Sequence, residues 1–223
     1  MHSKMLPPIP NRSIAGQWLS QLILNKPLYS KPLILALPRG GVPVAYEIAK
    51  SLHAPLDLIL VRKLGVPQFP ELAMGAIASG NIETLNQSVI QSYRIQQDIN
   101  EVKARELKEL KRREILYKGE KPSLELTNQN IILVDDGLAT GSTMLAAIKA
   151  VKSQNPKSIT VAVPVAPEET IQEISQLVDN VICPIQPNDL GSIGQYYIDF
   201  TQVSDAEVKT QLSQAWQNNA SER

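Results

Sequence analysis

The stretch Ile131 to Thr143, IILVDDGLATGST, constrains this chain more than any other part of it. Four apolar residues, Ile131 to Val134, run into two adjacent acids, Asp135 and Asp136, and then into small and hydroxyl residues that open a helical pattern. An apolar run of this length suits a parallel strand covered on both faces, and ligands of open α/β sheets bind just beyond the carboxyl ends of such strands. The two aspartates are therefore expected at the mouth of a site. After them Gly137, Leu138, Ala139, Thr140, Gly141, Ser142 and Thr143 offer backbone N–H groups and hydroxyls at the start of a helix whose dipole favours an anion. Such a loop suits a phosphate, and such carboxylates suit hydroxyls or a metal ion.

A second stretch has the same logic. Leu33 to Leu37 is a short apolar run that gives way to Pro38-Arg39-Gly40-Gly41-Val42-Pro43. Pro43 suits a first helical turn, and Val44, Ile48 and Leu52 form one stripe with Ala45 and Ala49 beside it. Gly40 and Gly41 are thus expected at a helix N-terminus with exposed amides, next to the positive charge of Arg39. A tight turn needing glycine is the alternative for this stretch alone; a second phosphate-type loop in the same chain favours an anion cradle. Leu56 to Val61 reads as a further strand running into Arg62 and Lys63, two cations expected at the ligand edge of the sheet.

Other readings of the first stretch fit less well. A nucleotide-binding loop of the Walker type needs four residues between its glycines and a lysine after them, whereas three separate Gly137 from Gly141 and no lysine follows. A phosphorylated aspartate would want its second acid two residues on, but Asp135 and Asp136 are adjacent and alternate sides of the strand end. Two capping residues are more than one helix needs.

Alternating strands and helices elsewhere give the fold class, an α/β protein with a doubly wound parallel sheet. Asn11 to Leu24 reads as a cover helix without chemistry of its own, with Ile14, Trp18, Leu19, Leu22 and Ile23 inside. Val66 to Leu85, with Pro67, Pro70, Gly75 and Gly80, reads as a loop leading into a small hairpin. Ser88 to Tyr117 reads as one long helix whose narrow stripe, Ile95, Ile99, Val102, Leu107 and Leu110, also suits a second subunit, so a homodimer is compatible with it. Met144, Ala147, Ile148 and Val151 should face inward on the helix after the motif; Ile159 to Val165 and Val178 to Cys183 supply strands, and Glu168 to Leu177 a helix. A loop over Pro184 to Tyr197 and a helix over Asp205 to Trp216 end the pattern. No Gly/Ser-rich or Pro-rich linker divides the 223 residues, so we expect a single domain over 1–223, with 66–120 as flap and helical insertion and 184–223 as C-terminal loop and helix.

Charge and cysteine content narrow the partners. Lys plus Arg and Asp plus Glu number 22 each, which gives no basic field for nucleic acid or an acidic membrane. Cys183 stands alone, which excludes an internal disulfide and agrees with a reducing cytoplasm. No apolar run approaches the roughly 20 residues of a membrane span. The reading is cytoplasmic, with a small-molecule partner.

Taken together, the motifs resemble those of the type I phosphoribosyltransferases. ILVDDGLATGST resembles that family's 13-residue binding signature, LPRGG its pyrophosphate loop and VRKLG its Arg-Lys segment, in the same chain order. From about Asn11 to Val208 the chain is similar to stand-alone bacterial members carrying LALPRGGVPVA, VRKLGVP, ELAMGAIASG and a Tyr-x-Asp-Phe segment. The resemblance implies that Asp135 and Asp136 hold the ribose hydroxyls of phosphoribosyl pyrophosphate and that Ala139, Thr140, Gly141, Ser142 and Thr143 hold its 5-phosphate. Arg39, Gly40 and Gly41 would hold the pyrophosphate, with Arg62 and Lys63 completing the charge, and Asp135, Asp136, Arg39 and Lys63 would be the catalytic set. It implies Mg2+ as cofactor, bound through the ligand and water near Asp135 and Asp136, and a small-molecule acceptor. We further expect Val66 to Gly80 to act as a flap with Glu71 as its polar contact, and the acceptor to lie under Pro184 to Tyr197, where Tyr196 or Tyr197 stacks on a base or belongs to the core. A regulator that keeps the pocket without turnover is the rival, and a hydrolase of ribosyl phosphates a weaker one.

Overall fold

The computed structural model describes residues 8–25, 32–80, 82–93, 95, 99–122 and 125–221. Five parallel strands form the centre: β1 (Leu33–Ala36), β2 (Leu56–Leu58), β6 (Asn130–Val134), β7 (Ser158–Ala162) and β8 (Asn180–Ile182), in the order β2-β1-β6-β7-β8. The chain thus builds outward from β1 in one direction and from β6 in the other, so the β1/β6 boundary is the point where the strand order reverses. Open α/β sheets bind ligands at that point.

Both faces of the sheet are covered, which explains the unbroken apolar runs. Ile34 and Ala36 of β1, with Ile132 and Val134 of β6, join a core shared with α1 (Arg12–Leu24), α2 (Gly41–Leu52) and α7 (Asp205–Ser221). Leu33, Leu35, Ile131 and Leu133 point the other way, into a core shared with α5 (Ser142–Lys152) and α6 (Glu168–Ser175). Met144, Ala147, Ile148 and Val151 are buried as their spacing predicts; on α2, Val44 and Ile48 are buried and Leu52 only partly so. The doubly wound class is the one observed.

The segment between β2 and β6 departs from expectation. The apolar run Leu56 to Val61 is not one strand: β2 ends at Leu58, and β3 (Val61–Val66) begins a second, antiparallel sheet with β4 (Phe69–Ala78) and β5 (Ile82–Leu85). Hydrophobicity continues across the break because Ile59 and Leu60 are buried where the chain changes sheets. Their amides mark the change, Ile59 N donating to Ala36 O and Leu60 N to Ser79 Oγ. Arg62 and Lys63 therefore belong to the second sheet and not to the parallel one. The hairpin expected within 66–85 is present as the antiparallel pair β4–β5, but the loop expected before it is strand, because β4 runs for ten residues and also pairs with β3. Glu71 lies on β4, and its side chain is outside the described residues.

The expected long helix is two, α3 (Gln87–Tyr93) and α4 (Ile99–Lys118). Its apolar stripe is used within the chain, since Ile95, Ile99, Val102 and Leu110 are buried in the same core as β3 and β4. The end of α4 is fastened to the parallel sheet by a buried ion pair, Lys118 Nζ to Asp57 Oδ2 at 2.8 Å, with side chains 3% and 4% exposed. Beside it the edge strand β2 is covered by α7, whose Trp216 Nε1 donates to Leu56 O at 2.9 Å.

Removing one partner of a buried pair leaves the other charge in a dry interior, so Lys118→Met should lower the unfolding free energy in urea by about 3–5 kcal/mol. A loss near the roughly 1 kcal/mol of a surface pair would show that α4 is not fastened there.

Candidate functional site

Register brings the two motifs together. In the β1–β6 pair Ala36 stands opposite Val134, and Leu37 N donates to Val134 O, so the loops that follow emerge side by side. They touch without space for a side chain. A Cβ on Gly40 would lie 2.0 Å from Asp136 Oδ2, and one on Gly41 would lie 2.7 Å from Val134 O and 2.9 Å from Asp135 Cα. The glycines are thus required by the approach of one motif to the other. One expectation is corrected: the Gly41 amide is not exposed to a ligand, because it donates to Leu37 O at 3.1 Å.

The two aspartates have different surroundings. Asp136 is 8% exposed, its Oδ2 accepting from Arg12 Nε at 2.7 Å. Asp135 is half-buried at the strand end, and its Oδ1 accepts from Asp136 N at 2.9 Å. Burial, then the charge of Asp136, hold the Asp135 carboxyl well above its ordinary 3.8; burial raises Asp136 too, and Arg12 opposes the rise. A carboxyl whose pKa is higher folded than unfolded binds its proton more tightly in the folded chain. Its contribution to stability therefore falls as pH rises above 3.8, and the ionised pair is a cost carried by the fold at neutral pH.

Arg12 was not expected. It is the first residue of α1, after the N-cap Asn11, whose side chain accepts from Ile14 N at 3.0 Å. A cation at the positive end of a helix dipole is unfavourable unless a carboxylate meets it, and that is the signal the sequence held. Its Nη1 donates to Thr201 O at 2.8 Å, and its guanidinium lies 3.9 Å from the centre of the Phe200 ring. So α1 is more than a cover helix. Tyr197 completes the clamp: it is buried with Ile9 and Ala15, packs 4.9 Å from Phe200, and donates its hydroxyl to Asp136 O at 2.7 Å. Burial raises that phenol's pKa, so it remains a donor. Of the two tyrosines expected near an acceptor, Tyr197 is thus a wall residue bonded to the motif, while Tyr196 is half-buried against the same cluster.

The phosphate-type loop is open. Ala139, Thr140, Ser142 and Thr143 are exposed, and Thr140 Oγ1 accepts from Ser142 N at 3.4 Å. Gly141 caps α5 with φ of 67°, a left-handed conformation that suits glycine, and a Cβ there would meet Thr170 Cγ2 at 2.7 Å. Hydroxyls and the N-terminus of an eleven-residue helix therefore face one place.

Arg39 projects from the glycine loop, 37% exposed. The structure separates Arg62 and Lys63, which alternate across β3. Arg62 donates through Nε and Nη2 to Glu106 Oε2 of α4, at 2.9 and 2.6 Å. Lys63 lines a cleft of about 540 Å³ between the second sheet and α5, together with Ser142 and Lys149. Sequence adjacency had grouped them; strand alternation parts them.

Gly40→Ala should push the Asp136 carboxylate off Arg12 and lower stability by about 1–3 kcal/mol, the usual size of overpacking, in urea unfolding. Unchanged stability would show that the loop can move aside.

Comparison with known proteins agrees with this arrangement. A family model described as phosphoribosyl transferase domain matches residues 4–201. Two proteins of Mycobacterium tuberculosis, one from each of two strains and both named as phosphoribosyl transferases, are 39% identical over 207 residues, 92% of this chain and 46% of theirs. The chain thus spans about half the length of those relatives. The crystal structure of TT1426 from Thermus thermophilus superposes with a TM-score of 0.85 at 35% identity, covering 92% of this chain and 98% of that one. No described helix is long and apolar enough to cross a membrane. With both loops of the β1/β6 edge in place and the family model spanning most of its length, the chain belongs to the phosphoribosyl transferase domain family.

Proposed function

We propose that the chain transfers the ribosyl 5-phosphate of phosphoribosyl pyrophosphate to a small acceptor and releases pyrophosphate. The observation that carries this reading is the contact of Gly40 and Gly41 with Asp135 and Asp136, which sets two anion-binding loops on either side of a carboxylate pair. A ligand with a phosphate at each end and a sugar diol between them matches that order. The 5-phosphate falls to Ala139 to Thr143 at the start of α5, and the pyrophosphate to Arg39 and Gly40 at the start of α2. Asp135 takes the larger share of the diol, because Arg12 occupies Asp136 Oδ2.

The chemistry needs little proton transfer from side chains. The bond from the anomeric carbon to the pyrophosphate oxygen breaks, its electron pair leaving with pyrophosphate, and the acceptor's lone pair forms the new bond before it sheds a proton. The protein's part is to orient the sugar, neutralise the leaving group through Arg39 and keep water out. For water exclusion we assign the flap role to 66–80, and Lys63 is placed to meet ligand charge from the α5 side. The residues fit Mg2+. Among those described no cluster of three or more His, Cys, Asp or Glu could cage an ion, but two carboxylates stand beside the expected phosphates, the environment this ion takes when it keeps its waters. Asp135 would hold it through ligand and water, and when bound it offsets charge on the leaving pyrophosphate. We place the acceptor near 184–197, with Tyr196 the better candidate for contact because the Tyr197 ring is enclosed.

Calorimetry with phosphoribosyl pyrophosphate and Mg2+ should show binding, weakened at least about tenfold by Asp135→Asn with Asp136→Asn, since hydrogen bonds to charged groups contribute about 1.5–3 kcal/mol each. A screen of nucleobases and small amines should then release pyrophosphate with at least one of them. No binding at millimolar ligand would overturn the reading, and binding with silence from every acceptor would replace the transferase by a regulator of the same fold.

A further inference from the structure

One carboxylate near the glycine loop has no part in the reading above. Asp205 opens the seventeen-residue helix α7, where the helix dipole favours a negative charge. Its Oδ1 accepts from the hydroxyl of Tyr117, in the last turn of α4, at 2.7 Å, and Arg39 Nη1 lies 3.8 Å from that same oxygen. Tyr117 is buried, and burial followed by the nearby Asp205 pushes its phenol up to about 12, so it stays a donor at neutral pH. Asp205 is thereby pinned by a buried partner, while Arg39 is a flexible, part-exposed side chain beside it.

The spacing matters. At 3.8 Å the pair is beyond hydrogen-bond range but within ion-pair range, so the carboxylate attracts the guanidinium while using none of its five N–H donors. Arg62 shows the contrast, bonded through two nitrogens to Glu106.

We propose that Asp205, held by Tyr117, is a positioning residue that sets the Arg39 guanidinium where the pyrophosphate end of the ligand docks. The inference rests on the reading of the Arg39 loop as the pyrophosphate site. It also gives the start of α7 and the end of α4 a function in common, since both meet at the carboxylate that faces Arg39.

Charge alone gives the opposite sign, which makes the test decisive: deleting a negative charge beside an anion site should tighten binding, whereas losing the positioning should loosen it. The full chain, Asp205→Asn and Asp205→Glu are titrated with inorganic pyrophosphate and, separately, with ribose 5-phosphate, both with Mg2+. Asp205→Asn should weaken pyrophosphate about three- to fivefold, the size one part-exposed ion pair allows, leave ribose 5-phosphate unchanged and be partly restored by Asp205→Glu. Unchanged or tighter pyrophosphate binding in Asp205→Asn, or equal loss for both ligands, overturns the inference while the site reading stands. Failure of the native chain to bind pyrophosphate overturns both.

Discussion

The in-register pairing of β1 with β6 is the constraint on which the site depends. Because Ala36 faces Val134, the chain leaves both strands at the same height, and the loops must either repel or interlock. Glycine at 40 and 41 lets them interlock, with the Asp136 carboxylate in space that any side chain at 40 would fill. The N-terminal ends of α2 and α5 are then held in a fixed relation by this close approach of the two loops. Interiors are close-packed, so such a contact leaves the two loops little room to shift against each other.

Electrostatics complicate this gain. Two adjacent carboxyls drawn out of water resist ionisation, and the shifts at Asp135 and Asp136 record that resistance. The fold answers on one side only. Arg12, stacked on Phe200 and bonded to Thr201 O, compensates Asp136, while Tyr197 ties the same residue's backbone. Asp135 is left with the more open position, and its carboxyl is held well above its ordinary range. Elements from both ends of the chain, α1 and the 197–201 segment, thus serve one aspartate in the middle.

Local pattern made the parallel sheet, the helices α1, α2, α5 and α6 and both loops legible in the sequence, because each carries its signal within a dozen residues. Lengths and alternation were less visible. Leu56 to Val61 reads as continuous because burial persists while the partner strand changes, and β4 runs through Pro70 and Gly75, residues that read as breakers. Arg62 and Lys63 look like one basic pair until strand geometry sends them to opposite faces. Arg12 and Asp205 were the hardest to see, since their partners lie 124 residues away at Asp136 and, for Asp205, 88 residues away at Tyr117. No window of sequence contains such pairs; only the fold does.

The central claim is that one ligand spans two anion sites held a fixed distance apart. Its most direct test is to titrate pyrophosphate into the chain already saturated with ribose 5-phosphate and Mg2+. The account predicts that pyrophosphate still binds, with the two fragments occupying the chain together. Competition between them for a single site would contradict it.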